Sequence, residues 1–215
     1  MAEDAAALHK TSAGSFYDRI VKLYNLSLKL NGYARSLDIY LRDNPLPLSP
    51  GARVLDAGCG TGLLSSALLR AVELPFHIAA VDLSASSLLM AKQSLMKEVR
   101  RAQSISFAQA NVLRLPFSDH CFDLVVTSGV LEYVSLREGF KELSRVLAPG
   151  GHMLHLPVRP SFVSTILEVL FRFKAHSPMD VAENTNRYFR VLNQHRFPPL
   201  EPIGWTKTAI LAQKI

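Results

Sequence analysis

An α/β fold, with a mostly parallel sheet lying between two layers of helices, follows from three features of the sequence. Short apolar runs alternate with segments of helical periodicity from about residue 50 to residue 158, the order that winds a parallel sheet through right-handed crossovers. The first run, closing at Val54-Leu55, ends on Asp56 and passes into a turn with Gly58, Gly60 and Gly62 at every second position. The second run ends on Asp82, twenty positions beyond Gly62, where dinucleotide-type folds place an acid for ribose hydroxyls. Ligands of such sheets sit beyond the carboxyl ends of the strands.

The elements follow in order. A helix is expected from Ser15, with Ser15 as N-cap, Asp18 three residues on, and Phe16, Ile20, Leu23 and Tyr24 on one face. Asn31-Gly32 ends it, and a second helix runs from Tyr33 to Leu41. Pro45, Pro47 and Pro50 then lead into a strand from Arg53 to Ala57. The glycine turn opens a helix to about Val72, on which Leu63, Leu64, Ala67, Leu68 and Leu69 recur at helical spacing. His77 to Val81 is the second strand, and Ser84 caps a helix from Ala85 to about Arg101 with Leu88, Leu89, Ala91, Leu95 and Met96 inward. Strands follow from Ile105 to Gln109, Phe122 to Val126 and His152 to Pro157, the last preceded by a helix from Leu136 to Leu147 and the turn Pro149-Gly150-Gly151. Beyond them the spacing predicts helices from Ser161 to Lys174 and from Pro178 to about Gln194. Two strand pieces are expected around Thr206-Lys207, between Ile203 and Ile215.

Composition narrows the function classes. A chain of 215 residues that is 48% hydrophobic suits one sizeable domain with its own core. The opening lacks the order of a signal peptide, and no apolar run approaches the ~20 residues needed to span a bilayer. Cys59 in the glycine turn and Cys121 in a polar loop form neither a disulfide framework nor a metal site, so a reducing cytoplasmic setting is expected. The net charge of +6 is concentrated in residues 159–215, which hold eight Lys/Arg against four Asp/Glu. No run of consecutive basic residues makes a nucleic-acid case, and the basic surface reads first as solubilising.

Several motifs in a fixed order carry a family resemblance. Val54-Leu-Asp-Ala-Gly-Cys-Gly-Thr-Gly62, Val81-Asp-Leu-Ser84, Asn111-Val112, Leu115-Pro116-Phe117, Phe122-Asp-Leu-Val-Val126 and Arg145-Val-Leu-Ala-Pro-Gly-Gly151 resemble those of the class I S-adenosylmethionine-dependent methyltransferases. The subgroup they resemble contains the ubiquinone and menaquinone biosynthesis C-methyltransferases, and Phe16-Tyr-Asp-Arg-Ile20 with Tyr24-Asn25 more faintly resembles the opening helix of those enzymes. The resemblance implies a three-layer Rossmann-like methyltransferase sheet with a C-terminal antiparallel strand pair. It divides the chain into an N-terminal helical cap over residues 1–50 and a methyltransferase domain over residues 51–215, with a helical insertion at 159–197.

S-adenosylmethionine is the implied cofactor. Its site would comprise Asp56, Gly58, Cys59, Gly60, Thr61, Gly62, Asp82, Leu83, Asn111, Val112 and Ser128. The glycines would bring backbone to the amino-acid and ribose portions, with Asp56 supporting the turn and the cofactor ammonium. Asp82 would hold the ribose, and Leu83 would pack on the adenine. Asn111 stands where Asp is commoner, and its carbonyl can accept the same hydrogen bond without the charge, with weaker or altered affinity. Read as plain structure, Asp82 is a helix cap, Asn111 a turn residue, Cys59 a small turn residue, and Glu132 and Tyr133 capping and packing groups. His152 and His155, three apart in a strand, point to opposite faces.

The acceptor is read from the last quarter. Phe162, Val163, Ile166, Leu167, Val169, Leu170, Phe171 and Phe173 leave the segment 161–174 apolar around most of its circumference, as suits a buried helix, a lid over an apolar substrate or a membrane-surface element. The leading expectation is in-line methyl transfer to a small, apolar, lipid- or quinone-like molecule, with peripheral membrane contact open. A nucleic-acid or protein methyltransferase, and a relative that binds the cofactor without transferring its methyl group, are the alternatives. Tyr17, Tyr24, Glu132, Tyr133 and His155 are candidate bases by location, and none is assigned.

Overall fold

The computed structural model describes residues 32–100 and 102–215. The expected helix from Ser15, the faint opening-helix resemblance, Tyr17 and Tyr24 lie outside them. The described elements are α1 (Tyr33–Asp43), β1 (Ala52–Ala57), α2 (Leu63–Ala71), β2 (Phe76–Asp82), α3 (Ala85–Leu95), β3 (Gln103–Gln109), β4 (Phe122–Ser128), a 3₁₀ turn (Leu131–Tyr133) and α4 (Leu136–Val146). They continue with β5 (Leu147–Leu156), α5 (Phe162–Phe171), α6 (Pro178–Asn186), β6 (Phe189–Arg196), a second 3₁₀ turn (Pro202–Trp205) and β7 (Thr208–Lys214). Seven strands form one sheet in the order β3-β2-β1-β4-β5-β7-β6. β1 to β5 run parallel, and β7 lies antiparallel to both β5 and β6.

Alternation along the strands makes the three layers. Val54, Ile78, Leu124 and Leu154 point to the face covered by α1, α2 and α3. Leu55, Ala79, Val125 and Met153 point to the other face, against Phe140 and Leu143 of α4 and Val181 of α6. Central strands carry apolar side chains on both faces because both are covered. Arg70 of α2 ties α1 in place, with ion pairs to Asp38 at 2.8 Å and to Glu98 at 2.7 Å.

Three expectations are corrected. The third helix stops at Leu95 rather than near Arg101, and Leu89 and Met96 are exposed, while Leu88, Ala91 and Leu95 face the core. The helix expected from Pro178 to Gln194 ends at Asn186, and Phe189–Arg196 is a strand, so the insertion at 159–197 is not wholly helical. β6 is an edge strand exposed over most of its length. Burial therefore imposes no alternation on its side chains, and pairing with β7 decides its conformation. The terminal antiparallel pair is consequently β6 with β7. Ile203, expected in a strand, is buried in the 3₁₀ turn that begins at Pro202, which lacks a backbone donor.

Candidate active site

β1, β2 and β4 end side by side, and the loops that leave them enclose a cleft of about 1380 Å³. A site for one drug-sized ligand measures ~300–1,000 Å³, and the cleft among the described residues is larger than that. Ten of the eleven predicted site residues line it: Asp56, Gly58, Cys59, Gly60, Thr61, Asp82, Leu83, Asn111, Val112 and Ser128. Gly62 does not. It caps α2 with φ 88°, and a Cβ there would stand 2.7 Å from Leu95 Cδ1. Its glycine character serves helix packing.

The glycine turn folds against β2. Gly58 and Cys59 both donate N–H bonds of 2.9 Å to the Val81 carbonyl, and the Gly60 N–H donates to Asp82 Oδ2 at 2.8 Å. These donors, expected to approach the ligand, thus hold the turn in shape. Gly60, at φ 53°, opens on space where a Cβ would meet nothing within 4 Å. Asp82 Oδ1 accepts from the Ser84 N–H at 2.8 Å, and Ser84 Oγ caps α3 by accepting from the Ser87 N–H. Asp82 therefore organises the glycine turn and the start of α3 together. Each carboxylate oxygen accepts about two hydrogen bonds, so capacity for further donors in the cleft is left.

Asp56 is buried under the turn and accepts a 2.6 Å bond from Ser65 Oγ. Burial pushes its carboxyl up to about 7, the Ser65 bond working against this and the Asp82 charge with it. An ammonium brought into the cleft would supply the counter-charge that Asp56 lacks. Thr61 Oγ1 is buried without a partner among the described residues, a further polar group available to a ligand. Burial pushes the Cys59 thiol well above its ordinary range, with Asp56 and Asp82 adding to the effect, so its nucleophilic thiolate form is disfavoured. Leu83 stands 67% exposed over the cleft, an apolar surface for a ring to cover. Asn111 Oδ1 accepts from the Leu113 N–H at 2.9 Å, so the local turn already uses the carbonyl expected to meet the adenine. Arg145 holds the 115–119 loop by donating to the Phe117 carbonyl at 2.8 Å and the Leu115 carbonyl at 3.2 Å.

Apolar side chains also line the cleft. Val130, Tyr133, Val134, Leu167, Phe171 and Phe173 line it, and Tyr33 and Leu37 of α1 also contribute to the lining. Tyr33 and Leu37 could not be singled out from sequence because their helical spacing marks only a packed face. Of the candidate bases, Tyr133 lines the cleft, whereas His155 is buried against Phe140, with ring centroids 5.3 Å apart. Burial lowers the His155 imidazole to about 4. Glu132, read as capping or packing, is buried, with one oxygen accepting the Val158 N–H and Oε2 without a partner among the described residues. Lys207, buried beside the end of β5, also lines the cleft. Its signal in the sequence is one lysine in the apolar segment from Ile203 to Ala212.

Comparison with known proteins matches the family described as "Methyltransferase domain" over residues 54–151. A demethylmenaquinone methyltransferase of Lactiplantibacillus plantarum is 28% identical over 161 residues, 68% of each chain. A ubiquinone/menaquinone biosynthesis C-methyltransferase of Vibrio campbellii is 31% identical over 128 residues, 59% of this chain and 49% of that one. The match thus spans about half the length of the Vibrio enzyme. A demethylmenaquinone methyltransferase of Corynebacterium glutamicum is 27% identical over 94% of this chain and 82% of its own. Among solved structures, geranyl diphosphate C-methyltransferase from Streptomyces coelicolor, in complex with Mg2+, geranyl diphosphate and S-adenosyl-L-homocysteine, superposes with TM-score 0.68 at 18% identity. It covers 84% of this chain and 80% of that one. The [4+2]-cyclase SpnF superposes with TM-score 0.67 at 17% identity, covering 84% and 81%. Identities this low speak for the fold.

Proposed function

The chain is, by domain and by fold, a class I S-adenosylmethionine-dependent methyltransferase resembling the ubiquinone and menaquinone C-methyltransferases, and from that premise we propose that it methylates a small, apolar, quinone- or lipid-like acceptor in the cytoplasm. The observation that supports this reading is one cleft lined both by polar groups and by apolar side chains. We assign Asp56, Thr61, Asp82 and Ser128 to a polar half that takes the cofactor, and Val130, Tyr133, Leu167, Phe171 and Phe173 to an apolar half that takes the acceptor. The two free thiols suit a reducing compartment.

The residues present fit the cofactor: a buried carboxyl short of a counter-charge, an unpartnered Thr61 hydroxyl, open space at Gly60 and an exposed Leu83. Bound there, S-adenosylmethionine would supply an electrophilic methyl carbon on a sulfonium. Asp56 would pair with its ammonium, Asp82 would accept from its ribose while keeping the turn closed, and Leu83 with Val112 would cover its adenine. Phe171, Phe173 and Leu167 would hold the acceptor and keep water away from it. Fixing two reactants in line is worth roughly 7–11 kcal/mol of barrier, so a site that mostly orients can be effective. His155 plays no part as a base, since it lies outside the cleft lining.

Incubating the purified chain with methyl-labelled S-adenosylmethionine and a 2-prenyl-1,4-naphthoquinol tests the reading. Label should appear in an organic-phase product carrying one added methyl group. Label in RNA or protein instead would overturn it. S-adenosylhomocysteine binding without transfer to any acceptor would favour a reaction other than methylation, as the name of the cyclase neighbour suggests for that fold.

A further inference from the structure

Resting on the reading of the apolar half as the acceptor chamber, we infer that Lys207 binds an ionised enol or phenol oxygen of the acceptor at the carboxyl ends of β4 and β5. Lys207 is held on both sides of its backbone. Its N–H donates to the Ile203 carbonyl at 2.8 Å, and it forms an isolated antiparallel bridge with Val158 just past β5. Its side chain reaches the ends of β4 and β5, where Nζ donates to the Leu156 carbonyl at 3.2 Å and lies 3.1 Å from where a Cβ on Gly129 would stand. The ammonium therefore sits between the last residues of β4 and β5, among the side chains that line the chamber.

One carbonyl occupies one of three N–H donors. Among the described residues no carboxylate forms an ion pair with Lys207. Glu132 is near enough for its charge to favour the ammonium, although its Oε1 accepts from Val158 and its Oε2 has no hydrogen-bond partner among the described residues. Burial lowers the Lys207 amine, and the nearby Glu132 charge only partly opposes this. A buried cation held by one carbonyl and only the field of Glu132 is still costly, and an anionic ligand in contact with it relieves that cost. Capping the end of β5 would need only a neutral donor, so the charge is what capping leaves unexplained. An apolar chamber with a single ammonium suits a ring whose one ionised oxygen meets Nζ while its apolar body lies against Val130, Leu167 and Phe171.

Calorimetry of the full chain, saturated with S-adenosylhomocysteine, with two neutral-ring probes that differ in one group would decide. The probes are 2-hydroxy-1,4-naphthoquinone, ionised near neutral pH, and its methyl ether, 2-methoxy-1,4-naphthoquinone. The wild-type chain should bind the hydroxy compound about 10- to 100-fold more tightly, the range for a hydrogen bond to a charged group. Lys207→Met should bring that ratio close to one and leave the methoxy and S-adenosylhomocysteine affinities unchanged. Lys207→Arg should keep part of the preference. Should the methionine variant fail to fold, Lys207→Gln still caps Leu156 without charge and carries the same expectation. A wild-type ratio near one, or a ratio that survives loss of the charge, overturns the inference. Failure of the wild-type chain to bind S-adenosylhomocysteine would instead overturn the methyltransferase reading.

Discussion

At the scale of single residues, Asp56 and His155 are buried titratable groups pushed in opposite senses. Asp56 rises from the ordinary 3.8 to about 7, so in the folded chain its neutral form is favoured. The stability this allows is fully present below the unfolded value and is lost as pH rises towards about 7. Asp56→Asn removes that loss while still accepting from Ser65. Without cofactor, the variant should match wild type near pH 4 and exceed it by about 4 kcal/mol at pH 8, the free energy of ionising so deeply buried a carboxyl. Urea denaturation at both pH values measures this. On the proposed pairing of Asp56 with the cofactor ammonium, the same variant should bind S-adenosylmethionine at least tenfold more weakly.

α5 carries two separate surfaces at the scale of elements. Ser161 starts it through a capping box with Ser164, and Leu167 and Phe171 face the cleft, as does Phe173 just beyond its end. Phe162 and Val169 are 83% and 78% exposed, and Ile166 and Leu170 are about half exposed. The segment is therefore a cleft wall on one side and an exposed apolar face on the other. Leu167→Ser with Phe173→Ser should raise KM for the naphthoquinol acceptor several-fold and leave cofactor affinity intact. Phe162→Ser with Val169→Ser should change neither affinity in detergent solution, since neither side chain lines the cleft. Steady-state kinetics and calorimetry on the two double variants check both statements. Equal losses of acceptor affinity would show that α5 acts as one packed body.

The whole molecule's pH response combines both buried groups. His155 is held down to about 4 by burial, with Lys207 and His176 adding to the effect and Glu132 opposing it. Its contribution to stability is present above about 6.5 and is lost as pH falls towards 4. Asp56 loses stability in the reverse direction over nearly the same window, so the contributions of these two groups should largely cancel between about pH 4 and 6.5. His155→Leu removes two buried ring nitrogens without a partner among the described residues and leaves Asp56 unopposed by His155. Its stability should fall as pH rises through that window, by about 3 kcal/mol or more. Thermal denaturation across the window tests this, and a flat curve for the variant would show that the two groups do not offset each other.

The sequence alone determined the parallel half of the sheet and the polar lining of the cleft. Continuous apolar runs, capping serines and a glycine turn between an acid and a helix are local signals. They act through backbone conformation and burial that neighbouring residues already specify. Asp56, Gly58, Gly60 and Asp82 were legible for that reason. Only the tertiary structure decided the rest. The turn's N–H groups serve the turn because β2 ends beside it, and Gly62 is glycine because Leu95 packs on it. β6 is a strand because β7 offers an edge, where its own sequence could equally continue a helix. Lys207, Tyr133 and Tyr33 reach one cleft from segments distant in sequence, and no periodicity records a meeting that only sheet order and packing bring about.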